Sequence, residues 1–187
     1  MKKSIIITLV VATVFAAGTL AGAALNKSRT QDAQPPKPGV EHAVLKHFEG
    51  DWDAVTSGMG ESTPGKQTSK MACDGMFLMT TYNGEYMKQQ FEGRGLMGYD
   101  LDGKQYQNVW VDSATSKITV ETGTWDEKSK TLTFASKGHD GAPVKMMFNF
   151  PDSDHYTLRF VGMDKDGKEA EQFKISYTRK GAKAATK

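Results

Sequence analysis

From Asp51 to the end of the chain, apolar and polar positions alternate with a period close to two, in segments of roughly five to nine residues separated by turn chemistry. The pattern predicts strands over Trp52–Thr56, Ser69–Ala72, Phe77–Tyr82, Gln90–Gly95, Gln105–Asp112, Lys117–Thr124, Thr131–Ser136, Val144–Phe150, Tyr156–Met163 and Glu171–Arg179. Asp74-Gly75, Asn83-Gly84, Asp102-Gly103, Asp140-Gly141 and Asp166-Gly167 tolerate the positive φ that two-residue hairpin turns demand. Strand, tight turn and strand in succession make a meander of antiparallel hairpins. Such a meander removes its edges most simply by closing, so the fold class is all-β: an antiparallel up-and-down barrel of about 8–10 strands, large enough to hold a small ligand. The one departure is Val40–Phe48, where Val44, Leu45 and Phe48 recur at helical spacing behind Pro38-Gly39 and predict a short amphipathic helix.

Alternation also assigns faces. Met146, Phe148 and Phe150 share one side of their strand, as do Tyr156, Leu158 and Phe160, and Phe173, Ile175 and Tyr177. On Gln105–Asp112, Tyr106, Asn108, Trp110 and Asp112 share a face, with Gln107, Val109 and Val111 opposite. The first set combines stacking surface with a few polar groups, the mixture that small-molecule pockets need. Tyr106, Asn108, Trp110, Asp112, Phe148, Tyr156 and Tyr177 are therefore the expected cavity-lining residues.

The N-terminus follows a different rule. Met1-Lys2-Lys3-Ser4 is a short basic start, Ile5–Phe15 is apolar but for Thr8 and Thr13, and small residues continue to Ala24. Ala21-Gly22-Ala23 fits the small-x-small cleavage pattern, so residues 1–23 read as a signal peptide and the protein as periplasmic or secreted, with no stable membrane span after cleavage. The alternative is an uncleaved anchor, because Ile5–Leu25 is about long enough to cross a bilayer core. Ala and Gly in its second half, where an anchor favours Leu and Ile, argue for cleavage. Residues 24–39, with Pro35, Pro36 and Pro38, read as an extended polar linker, residues 40–181 as the barrel domain and 182–187 as a disordered tail.

Charge excludes some partners. The 187 residues carry 24 basic and 22 acidic side chains; without Lys2 and Lys3 the balance is 22 against 22. A neutral chain lacks the field that holds a phosphate backbone, so nucleic acid is not an expected partner. The lone Cys73 excludes an internal disulfide.

Particular residues then carry a resemblance. Gly50-Asp51-Trp52 opening the first strand, with Arg179 near the end of the last, resembles the calycin superfamily of lipocalin-like barrels, which implies that Arg179 packs over the Trp52 indole to close one end. A guanidinium there gains cation–π energy and can donate to carbonyls left unpaired at the barrel end. The stretch Pro38 to Lys180 is similar to the bacterial domain of unknown function 1579 family. The similarity rests on Pro38-Gly39-Val40-Glu41-His42, Gly50-Asp51-Trp52, Phe91-Glu92-Gly93-Arg94-Gly95-Leu96-Met97-Gly98-Tyr99-Asp100, Trp110-Val111-Asp112-Ser113, Gly123-Thr124-Trp125-Asp126 and Ser176-Tyr177-Thr178-Arg179-Lys180. The resemblance implies a calycin-like fold and supplies no catalytic residues.

Other chemistry has simpler accounts. His42, His47 and His139 have polar neighbours and are expected at the surface; His155, the one candidate haem ligand, falls on the face opposite Tyr156. Met76 with Met79, and Met146 with Met147, are spaced to opposite faces of a strand and cannot chelate copper(I) together. Asp164–Glu169 has glutamate where a calcium loop needs its glycine. No metal site or cofactor is expected. Asp112 beside Tyr106 is the one enzymatic candidate, and a cap on the turn Asp112-Ser113-Ala114-Thr115 accounts for it more simply, so no catalytic residue is assigned. The reading that results is an exported barrel that binds a small apolar or amphipathic molecule, against an enzyme acting through Asp112 or an interaction module whose barrel is filled.

Overall fold

The computed structural model describes residues 35–58, 60–138 and 141–182. The chain divides into two units, Met1–Pro36 and Lys37–Lys187. The signal-peptide reading, most of the linker, His139 and the tail beyond Ala182 lie outside the described residues. Among the described residues no helix is long and apolar enough to cross a membrane.

The second unit is a closed barrel of ten antiparallel strands: β1 (Gly50–Ser57), β2 (Thr63–Ala72), β3 (Phe77–Tyr86), β4 (Gln89–Asp100), β5 (Gln105–Asp112), β6 (Thr119–Asp126), β7 (Thr131–Lys137), β8 (Pro143–Asn149), β9 (His155–Met163) and β10 (Glu169–Arg179). Each pairs with the next, and β1 pairs with β10, with Trp52 opposite Arg179. A short α-helix, α1 (His42–Leu45), continues into a 3-10 turn, Lys46–Phe48. Its apolar residues Val44, Leu45 and Phe48 are all buried. All ten predicted strands are present, and the class is the up-and-down calycin-like barrel.

Three local expectations are corrected. Asn83-Gly84 is not a turn but lies inside β3, opposite Glu92 and Phe91. The chain reverses instead at Met87-Lys88, both at positive φ (51° and 62°). β4 runs on to Asp100 past Gly93, Gly95 and Gly98, residues that weaken a strand signal but leave room for large side chains on neighbouring strands. His42, expected at the surface, is 1% exposed. Its Nδ1 accepts the Gly39 N–H at 3.0 Å, its Nε2 has no hydrogen-bond partner, and Tyr99 meets the ring edge-on at 6.0 Å.

The end that carries α1 is closed. Trp52 is 2% exposed and donates its indole N–H to the Phe48 carbonyl at 2.9 Å. The Arg179 guanidinium lies 4.2 Å from the indole centre and donates to the carbonyls of Glu49 (2.8 Å) and Ser153 (2.9 and 3.1 Å). Gly50 has φ of 124°, and a Cβ there would fall 2.5 Å from Arg179 Nη1, so only glycine admits the guanidinium. Below the lumen Phe48 packs edge-on against Phe148, Phe150 and Tyr156 at 5.1, 4.8 and 5.6 Å. The opposite end is formed by the five connections that follow β1, β3, β5, β7 and β9.

Candidate functional site

A cavity of about 400 Å³ fills the half of the barrel away from Trp52. Phe48 forms its floor, and Glu85, Tyr86, Thr115, Lys117, Lys137 and Gln172 stand around its mouth. The walls are chiefly apolar: Met97 from β4, Val144, Met146 and Phe148 from β8, Leu158 and Phe160 from β9, and Phe173, Ile175 and Tyr177 from β10. Phe160 and Phe173 stack at 4.1 Å. This lining follows from the strand period, since the alternate residues of β8, β9 and β10 all turn inward.

β5 presents Tyr106, Asn108, Trp110 and Asp112 inward, and the exposed Gln107 and Val111 outward. These inward residues stand at different depths. Asp112, Trp110 and Asn108 line the cavity from the mouth downward. Tyr106 does not: it sits below, 3% exposed, and donates its hydroxyl to the Glu41 carbonyl at 2.9 Å. Tyr156 is likewise no part of the lining, because it is 1% exposed within the floor cluster, stacked on Tyr177 at 4.2 Å and edge-on to Trp52 at 4.7 Å. Of the seven expected lining residues, Asn108, Trp110, Asp112, Phe148 and Tyr177 thus come together, while Tyr106 and Tyr156 belong to the packed end. The difference in depth has one reason: alternation reports the face of a strand, whereas depth depends on where α1 plugs the barrel.

Trp110 lies flat on β4. A Cβ at Gly95 would stand 3.1 Å from the indole and one at Gly93 would collide with it, so these two glycines create the recess in which the ring rests. The indole N–H donates to Asp112 Oδ2 at 3.0 Å, and the other oxygen, Oδ1, accepts the Ala114 N–H at 2.9 Å. Asp112 therefore caps the β5–β6 turn and holds the indole in place. Both of its oxygens are engaged.

Polar groups interrupt the wall at two places. Gln67 Nε2 donates to the Tyr156 hydroxyl (2.6 Å) and to Ser69 Oγ (3.1 Å), and Ser69 is bonded to Thr80 at 3.0 Å. Burial pushes the Tyr106, Tyr156 and Tyr177 hydroxyls well above the usual tyrosine range, so they remain neutral donors and acceptors at any ordinary pH. The second place is Glu121 on β6, opposite Asn108 and 4% exposed, which sequence reasoning missed. Its Oε2 accepts from Asn108 Nδ2 at 2.7 Å, and its Oε1 accepts from the Ser136 hydroxyl. A signal existed: β6 alternates cleanly with Val120 outside, 68% exposed, which puts Glu121 inside. His155, at the strand start, has Nδ1 2.9 Å from Asp152 on the closed-end connection and is not part of the cavity lining.

Fold and site together define a calycin-like barrel, plugged at one end and hollow at the other. The chain belongs to the family described as protein of unknown function (DUF1579), whose model matches residues 37–179. Among solved structures it is similar to an S-type phycobiliprotein lyase from Guillardia theta, at 10% identity over 78% of this chain and 100% of that one, with a TM-score of 0.49. Two redesigned β-barrels, one bound to DFHBI, are similar at 12% identity over 73% of this chain and 95% and 98% of theirs, each with a TM-score of 0.38. No curated protein matches the chain.

Proposed function

We propose that this protein is exported and binds a small apolar or amphipathic molecule non-covalently inside the barrel. The observation that carries the reading is the cavity of about 400 Å³ lined by Trp110, Phe148, Phe160 and Tyr177. Its volume falls within the roughly 300–1,000 Å³ of small-molecule pockets, and its few polar groups are placed to orient a ligand rather than to fill a core. A barrel that served only as an interaction module would gain stability by filling this space, because the atoms around a void forfeit dispersion contacts. The enzyme reading through Asp112 has less support, since both its oxygens serve the turn and the indole.

Two measurements test the proposal. Native mass spectrometry of protein purified from its host should show a retained small molecule that denaturation releases, and N-phenyl-1-naphthylamine should titrate the purified barrel saturably near one equivalent. The absence of both a retained mass and a saturable signal would defeat the binding reading. N-terminal sequencing of the same material should give a start near Ala24; a full-length chain in the cytosol would defeat export.

A further inference from the structure

We propose that the molecule held in the barrel carries a protonated nitrogen that pairs with the carboxylate of Glu121, its apolar body lying along Trp110 and Phe148. The inference rests on the cavity reading above and names the class of ligand it would take. Glu121 stands in the cavity wall, 4% exposed, level with Asn108 and one step deeper than Trp110. Its two oxygens each receive one hydrogen bond, from the Asn108 amide and the Ser136 hydroxyl, and both donors are uncharged. A carboxylate offers about four acceptor positions, so about two remain unused.

No ion pair among the described residues includes Glu121. The lysines of the mouth do not replace one. Lys117 lies four residues earlier, ahead of β6, and is exposed at the mouth. Lys137 is exposed at the rim, while its neighbour Ser136 is the residue that turns inward to the carboxylate. Removing a carboxylate from water without a counter-charge is costly, and a cation brought by the ligand offsets that cost in surroundings where the attraction is stronger than in water. The other acids of the lining lie nearer solvent: Glu85 is exposed at the rim, and Asp112 is only half-buried at the mouth, where it caps the β5–β6 turn and holds the indole. A molecule that enters past the indole with its nitrogen leading would meet Glu121 and leave its apolar part against Trp110.

The experiment uses a matched series with one ring system: 2-naphthylmethylamine, 2-naphthylmethanol and 2-naphthoate, each displacing N-phenyl-1-naphthylamine from the purified barrel. The amine should bind at least about tenfold more tightly than the alcohol, as a charged hydrogen bond to a buried carboxylate implies, and the naphthoate should bind most weakly. In Glu121→Gln the ratio of amine to alcohol dissociation constants should fall to about one. The wild-type ratio alone tests the proposal should that variant fail to fold. Equal binding of amine and alcohol, a preference that survives in Glu121→Gln, or a preference for naphthoate drawn by the rim lysines would each overturn it while leaving the cavity reading intact. Failure of all four compounds to bind would remove both.

Discussion

The closing pair of the barrel makes the sharpest stability prediction. Trp52, 2% exposed, holds three partners at once: the Phe48 carbonyl at 2.9 Å, the Tyr156 ring at 4.7 Å and the Arg179 guanidinium at 4.2 Å. Truncation to alanine leaves a void where a buried indole stood and should cost about 3–5 kcal/mol, a large part of the roughly 5–15 kcal/mol that such a domain has. Arg179→Ala removes the cation–π contact and the donors to the Glu49 and Ser153 carbonyls. Its side chain is 32% exposed, so water can replace some of those bonds, and a cost of about 2 kcal/mol follows. Removing both should cost about 1 kcal/mol less than the sum, because the cation–π contact is counted in each single variant. Urea unfolding at 25 °C, followed by the fluorescence of Trp110 and Trp125, measures all four proteins; the slope with denaturant should stay constant across them. Additivity within about 0.3 kcal/mol would show that the two side chains do not support one another.

Three further outcomes follow from the same geometry. Trp110→Ala should raise the dissociation constant of N-phenyl-1-naphthylamine at least about tenfold, on the scale of losing a stacked aromatic contact, with cooperative unfolding retained; unchanged affinity would place the ligand elsewhere. Gly93→Val should weaken the same probe while keeping the tryptophan, because the new side chain displaces the indole into the lumen; unaltered binding would mean that the recess on β4 does not matter. Partial burial, with Lys130 nearby, holds His47 below the usual histidine range. The folded state thus resists its protonation, so stability attributable to His47 should be lost as pH falls from about 6.5, the unfolded value, through the folded midpoint. A resonance assigned to His47 and titrating at or above 6.5 would contradict this.

Strand existence and strand faces were legible because a period of two is local: each residue's side follows from its neighbour's, and Trp110, Phe148 and Tyr177 could be assigned inward from sequence alone. The Trp52–Arg179 closure was legible only through family resemblance, for nothing in local spacing brings together residues from the first and last strands. The Asn83-Gly84 reading failed for a tertiary reason. Gly84 is glycine because the Tyr82 ring lies where a Cβ would stand, and a turn signal and a packing requirement leave the same letter in the chain.

By itself the sequence determined the class of fold, the order of its strands and which residues face inward, since these follow from alternation and turn chemistry. Tertiary structure alone decided depth. The 3-10 turn that follows α1 places Phe48 across the lumen, and from that single placement Tyr106 and Tyr156 become packed core while Asn108, Trp110 and Tyr177 face open space. Tertiary structure also decided the surroundings of Glu121, because a carboxylate on the inner face becomes a site only when strands β5 and β7 bring Asn108 and Ser136 to it and no cation. Those neighbours are 13 and 15 residues away in the chain, beyond what any local pattern encodes.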